Sequence, residues 1–387
     1  MNARRWLVVL FLTSVVHNVL RAAAAILKVR GPWVFNYVGR YPSNIRLDAS
    51  EWAELAAVGV AMALAMALGL HFWKRQSPPT AFLHSALWAV LSGALLGLSA
   101  VAVLTLAYHS YGYILFMLLP FVVGLHAAVA LSWQRRISIG DAVLVASVAI
   151  LLLGAMLVAA ALEGLGCLAM AVPIALPLAI LGGLCGYAMQ ALKKPVMLLL
   201  LAGMLPSGAP VERALSPASA VLSASTSIDI AASPVKVWQT VLQPATLQPP
   251  TGLLFRAGIA YPRKSHIEGS GLSAIRYCDF STGKLVEPVL LWEEGRRLRF
   301  TVQTNPLPMQ EWTPYAHIHA PHLEGFLQSR QGEFRLEPLP GGGTRLVATT
   351  WYQHHLAPNG YWRLWSDQII HQIHKMVLEN IRERALD

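Results

Sequence analysis

The amino-acid sequence predicts an all-α multi-span membrane bundle followed by an α+β domain, in which an antiparallel sheet wraps a long C-terminal helix. Three observations predict this. Of 387 residues, 55% are hydrophobic and only 13% charged, which is more apolar than an ordinary soluble protein. Up to about residue 205 the apolar residues gather in long uncharged runs; beyond residue 227 they alternate or recur at helical spacing. Charge divides the same way. There are 13 basic and 5 acidic residues up to Pro210, a net +8, but 17 against 15 from Val211 on, a net +2.

A membrane-spanning helix needs about 20 apolar residues, because the hydrocarbon core is about 30 Å thick and only a helix satisfies its own backbone there. Five runs meet that test: Leu55 to Trp73, Phe82 to Tyr108, Tyr111 to Trp133, Ala142 to Leu162 and Gly166 to Leu192. A sixth, Trp6 to Leu20, follows Arg4 and Arg5. It reads as a retained first helix, since no consensus cleavage pattern follows and Lys28 and Arg30 come next. Val196 to Leu205 is only about ten residues long and suits a re-entrant or interfacial piece, or the end of a tilted span.

Basic loops at Lys74-Arg75, Arg135-Arg136 and Lys193-Lys194 alternate with non-basic ones at His109-Ser110 and Glu163. By the positive-inside rule the basic loops are cytoplasmic. The expectation is a multi-pass protein of the cell inner (plasma) membrane with six spans and a cytoplasmic C-terminal domain. Arg21, Lys28, Arg30, Arg40 and Arg46 would then lie outside, against the rule, and a spanning Val196 to Leu205 would reverse the final side. Basic residues beside apolar spans answer to membrane orientation and anionic headgroups. No helix-turn-helix, zinc-finger or RNA-binding signature occurs, so nucleic-acid binding is excluded.

Cys167 and Cys185 lie in apolar runs and Cys278 stands alone in the C-terminal domain. They offer neither a disulfide framework nor a CxxC metal site. Cys278 reads as a small buried hydrophobe.

Residues 1–205 are the transmembrane region, and residues 206–226, rich in Ala, Pro and Ser, read as a linker. The domain then occupies 227–387. It opens with an alternating strand, Ser227 to Ala231, and a helix with Ser233 as N-cap, Pro234 at its first position and Val237, Trp238, Val241 and Leu242 as its apolar face. Strand character recurs at Ser273 to Phe280, Leu285 to Trp292, Arg297 to Gln303, Gly325 to Pro338 and Thr344 to Tyr352. Turns at Ser281-Thr282-Gly283, Glu294-Gly295 and Pro340-Gly341-Gly342-Gly343 separate them. A long helix, Tyr361 to about Ala385, closes the chain with Trp362, Trp365, Ile369, Ile373, Met376, Val377 and Ile381 at helical spacing. Such a helix needs a sheet to cover.

The element order, together with particular segments, resembles the START-like superfamily (SRPBCC, polyketide cyclase/dehydrase type). The segments are Ile228-Asp229-Ile230-Ala231-Ala232-Ser233-Pro234-Val235-Lys236-Val237-Trp238, Gly332-Glu333-Phe334-Arg335-Leu336, Gly342-Gly343-Thr344-Arg345-Leu346, Thr350-Trp351-Tyr352 and Ile370-His371-Gln372-Ile373-His374. The likeness covers about Ala220 to Asp387. It implies a helix-grip fold enclosing a hydrophobic cavity for a lipid-like or polycyclic ligand. It transfers no catalytic residues, because these vary across the superfamily.

Eight of 13 histidines lie in the C-terminal domain, seven of them in the last 71 residues. His317, His319 and His322, with Glu311 or His354, could ligate zinc or iron. However, Pro314 and Pro321 put the segment in a loop and no zinc signature matches, so surface or rim histidines are the favoured reading; neither metal nor cofactor is expected. His371 and His374 share one helix face. With Trp365, Ile369 and Ile373 they are candidates to line a cavity, or to make ordinary hydrogen bonds to the sheet. Glu287 is either a buried carboxylate or a solvent-facing one, and Trp351, Tyr352 and His354 complete the candidate ligand-binding set. Within the spans His84, His109 and His126 have no intramembrane charge beside them, which argues against charge-driven transport.

The function expected is a membrane-anchored domain binding a hydrophobic small molecule or lipid, with the bilayer as its other partner. The alternative is a cyclase/dehydrase-type enzyme using Glu287, His354 or His371 as acid or base.

Overall fold

The computed structural model describes residues 82–133, 136–190, 220–313 and 320–387, with Leu205, Gly208 and Glu212 between them. The chain divides into two compact units. One is Met1–Leu162 with Leu168–Ser216; the other is Glu163–Cys167 with Pro217–Asp387. The runs Trp6 to Leu20 and Leu55 to Trp73, and nearly all of Val196 to Leu205, lie outside the described residues.

Four helices in the described residues are long and apolar enough to cross a membrane, with spanning stretches of 23, 19, 21 and 25 residues. At 1.5 Å per residue these reach about 28–38 Å, against a hydrocarbon core of about 30 Å. They are α1 (Phe82–Ala102, continued by a π-helical turn, Val103–Ala107), α2 (Leu119–Ser132, preceded by a π-helical turn, Ile114–Leu118), α3 (Ile139–Ala159) and α4 (Leu165–Met189). Helix α3 starts three residues before the predicted Ala142. Ser138 accepts from the Asp141 N–H while the Asp141 carboxylate accepts from the Ser138 N–H, a capping box that satisfies two otherwise orphaned donors.

Small residues bring α1, α2 and α3 together: Ala94, Ala127, Ala128, Ala142 and Ala149 are fully buried. A β-carbon on Gly124 of α2 would run into the Ala179 carbonyl of α4. This is how helices approach closely where no hydrophobic effect drives them together. Leu87, Trp88, Leu95, Leu144, Leu151 and Leu181 are about half exposed, as lipid-facing side chains would be.

The second unit contains one antiparallel eight-stranded sheet in the order β1-β8-β7-β6-β5-β4-β3-β2. Its elements are β1 (Leu222–Ile230), α5 (Pro234–Leu242), β2 (Ala245–Thr246), α6 (Leu253–Arg256), β3 (Pro262–Glu268), β4 (Ile275–Phe280), β5 (Gly283–Glu293), β6 (Arg297–Thr301), β7 (Leu327–Pro338), β8 (Thr344–His354) and α7 (Asn359–Leu386). Strand β1 begins five residues before the predicted Ser227, inside the stretch read as linker. Strands β2 and β3 and the one-turn helix α6 were not predicted.

Register shifts at Val289/Leu291 in β5 and Ser329/Gln331 in β7 are bulges of the kind that bend a strand. Phe300 faces Gly332 across β6 and β7, and a β-carbon on Gly332 would strike the Phe300 ring. Helix α7 lies against β1, β8 and α5. Between them is a core built from Ile230, Val237, Trp238, Leu298, Leu336, Leu346, Leu378 and Ile381. Trp238 packs edge-on against Trp292, with ring centroids 5.6 Å apart.

Candidate functional site

Toward the middle of α7 the core opens into a cavity of about 160 Å³ between helix and sheet. Strand alternation sends Arg276, Cys278 and Phe280 of β4, Leu285 and Glu287 of β5 and Phe300 of β6 to the inner face, where all six line it. Helix α7 contributes Ile369, Ile370, Ile373, His374 and Val377, and the β6–β7 connection adds Asn305 to Pro308. Most of this wall is apolar.

A buried charged pair interrupts it, together with polar side chains such as Gln331, Thr350 and His374. Arg276 and Glu287 are direct cross-strand partners, 8% and 4% exposed, and the guanidinium Nη1 donates to the carboxylate Oε2. The guanidinium carbon also sits 5.0 Å from the Phe300 ring and 5.6 Å from Phe334, a cation–π sandwich. Burial pushes the Glu287 carboxyl up, and the Arg276 charge and hydrogen bond oppose that shift. An arginine retains five N–H donors whatever its surroundings. Cys278, beside the pair, is 4% exposed, and burial pushes its thiol up to about 12. It stays protonated and is no nucleophile.

Of the residues singled out from sequence, Glu287, Tyr352, Ile369, Ile373 and His374 lie on the cavity wall. Trp351, His354, Trp365 and His371 do not. Trp351 points to the other face of the sheet, where Arg299 stacks over its ring at 4.9 Å. That same Arg299 pairs with Glu333 at 2.7 Å. His354, 1% exposed, ends β8 and stacks on Tyr352. Trp365 is half-buried away from the wall.

His371 Nδ1 is 2.7 Å from the Thr226 hydroxyl. His374 is bracketed by two threonines: its Nδ1 lies 3.1 Å from Thr226 of β1, and its Nε2 lies 2.8 Å from Thr350 of β8. Burial, with His371 adding to it, lowers the His374 pKa to about 4. The phenol of Tyr352 donates to Asp367 at 2.5 Å, and Arg363 holds the other Asp367 oxygen at 3.1 Å. The Tyr352 ring therefore faces the cavity while its hydroxyl is committed to α7.

His317 and His319 lie outside the described residues. Glu311 and His322 do not line the cavity. Arg276 is the feature that sequence reasoning missed.

No protein-family model matches the chain, and no curated protein matches it. Solved structures do. Norcoclaurine synthase from Thalictrum flavum aligns at 11% identity and TM-score 0.30, over 44% of this chain and 98% of that one. The Zhui aromatase/cyclase from Streptomyces aligns at 11% and 0.28, over 43% and 94%. An uncharacterised Bacillus thuringiensis protein aligns at 13% and 0.28, over 43% and 100%. The C-terminal domain of this chain is an antiparallel curled sheet closed by its last helix.

Proposed function

We propose that the C-terminal domain binds a small apolar molecule, or the apolar end of a lipid, in the cavity between α7 and the sheet, and that the helices anchor this domain to a bilayer. The observation that carries the reading is a cavity of about 160 Å³ with apolar walls and one buried, hydrogen-bonded ion pair. A few placed polar groups in an apolar recess are how such sites orient a ligand. An apolar void of about 150 Å³ admits a benzene-sized molecule, so a single ring or a short acyl end fits without any movement. Anchoring raises the local concentration of a membrane-borne ligand.

The enzymatic alternative gains no support from the three side chains considered for it. Glu287 is paired with Arg276, His371 with Thr226, and His354 lies off the wall.

The test is uptake of an apolar fluorescent probe by the full chain in detergent. Replacing Ile369 with Trp fills the cavity. Uptake should fall at least several-fold in Ile369→Trp, with a stability loss of no more than about 1–3 kcal/mol from overpacking. Undiminished uptake by a well-folded variant would remove the site.

A further inference from the structure

We infer that Glu163, Cys167, Glu311 and His322 form a binding site for a divalent transition-metal ion of the zinc type. All four belong to the second compact unit, and one donor atom from each lies within 4.8 Å of the others. His322 Nε2 is 2.9 Å from Cys167 Sγ and 4.0 Å from Glu311 Oε1, and Glu163 lies against the other edge of the same ring. Ligands bound to zinc at about 2.0–2.3 Å stand about 3.3–3.8 Å apart on a tetrahedron. Adjustments of about 1 Å or less bring these four atoms to that geometry.

The donor set selects the ion. Calcium and magnesium take oxygen ligands, whereas a thiolate, an imidazole and two carboxylates together suit zinc and its neighbours. Four protein donors fill a tetrahedral shell, as in structural sites, and leave no open position for chemistry.

A second observation points to the same ion. The Glu311 side chain is 1% exposed, and its carboxylate, beside the Cys167 thiol and backbone, makes no well-formed hydrogen bond through either oxygen. Oε2 of Glu163 is also buried without one. Buried carboxylates are ordinarily hydrogen-bonded, paired or coordinated to a metal, and a divalent cation at the centre of this group satisfies both at once.

The backbone is shaped to bring Glu311 in. A β-carbon on Gly164 would run into the Glu311 carboxylate, and one on Gly166 would approach Met309 Cε at 2.7 Å. The Leu165 N–H donates to the Trp312 carbonyl at 2.9 Å, fixing the segment beside Glu311. The ion would staple the long β6–β7 connection at Glu311 and His322. That connection also supplies Asn305 to Pro308 to the cavity wall.

The untagged full chain, purified in detergent and stripped with a chelator, is titrated with zinc or cobalt(II) while alkylation of each cysteine is mapped by mass spectrometry. One zinc should bind per chain, and Cys167 alkylation should slow at least tenfold with zinc but not with calcium. Cobalt(II) should give a thiolate charge-transfer absorption. Cys167→Ser and His322→Gln should each lower zinc affinity at least tenfold. The wild-type readouts need no variant to fold. Absence of zinc binding, unchanged Cys167 alkylation, or binding undiminished in both variants would each overturn the site.

Discussion

Arg276 and Glu287 form the most consequential pairing in the domain, because each is buried and each has the other as its charged partner. Removing one leaves an uncompensated buried charge, which costs about 3–5 kcal/mol, whereas replacing both with apolar residues is often close to neutral. Arg276→Met alone should therefore destabilise the chain by that amount, and Arg276→Met/Glu287→Leu should recover most of it in chemical denaturation; equal losses in the single and double variants would show that the pair is not coupled. This pairing was not read from the sequence. The predicted three-residue turn Ser281-Thr282-Gly283 would set Phe280 opposite Lys284, whereas in the structure Phe280 pairs with Gly283 and Arg276 with Glu287. Alternation alone, applied to Glu287 by itself, left the buried and exposed faces undecided.

His374 has a testable pH signature. Its folded pKa, about 4, lies below the ordinary 6.5, so the neutral form is the one the fold favours. The contribution is fully present above about pH 6.5 and is lost as pH falls from there through 4, up to about 3 kcal/mol for a shift of that size. His374→Gln should flatten this part of the stability-against-pH curve; an unchanged slope would assign the acid sensitivity elsewhere. The three-residue spacing of His371 and His374 gave their shared face. It could not give their two threonine partners on β1 and β8, which are 124 residues apart in the chain.

At the scale of elements, the strongly patterned pieces were readable: strands β4 to β8, the Ser233-Pro234 start of α5 and the long α7. Strand β1 was readable only in its second half. Its inward positions are Leu222, Ala224, Thr226, Ile228 and Ile230, and Thr226 meets His371 and His374 of α7. Small side chains there make the strand look like an Ala/Ser linker, although its pairing with β8 runs unbroken from Leu222 to Ile230. Ala224, 3% exposed, should tolerate no bulk. Ala224→Leu should cost about 1–3 kcal/mol by overpacking, measured as a shift in the denaturation midpoint, and a neutral effect would contradict close packing of α7 on β1. Strand β3 was missed for a different reason. Pro262 to Glu268 carries Arg263, Lys264, His266 and Glu268, as edge-proximal strands commonly do to discourage further pairing, and so lacks an apolar alternation. In the helical unit the Ser138/Asp141 capping box starts α3 three residues ahead of the uncharged run, because Asp141 caps the helix rather than ending it.

At the scale of the whole molecule, the two units differ in what they bury and what they expose. Helices α1 to α4 expose Leu87, Trp88, Leu95, Leu144, Leu151 and Leu181, while Ala94, Ala127, Ala128, Ala142 and Ala149 are buried together with Leu119, Leu125 and Leu131. The sheet domain packs its apolar face beneath α7. Sequence composition changes between about residues 205 and 227. It could not define the cavity, because a void depends on how far a helix stands off a curved sheet, and no single residue encodes that distance. The measurement that tests the central claim most directly is photolabelling of the full chain with a diazirine-bearing apolar probe, followed by peptide mapping. Labels should fall on cavity peptides containing Leu285, Phe300 and Ile373, compete with unlabelled apolar molecules, and vanish from those peptides in Ile369→Trp. Labelling confined to α1 to α4 and unaffected by that substitution would contradict it.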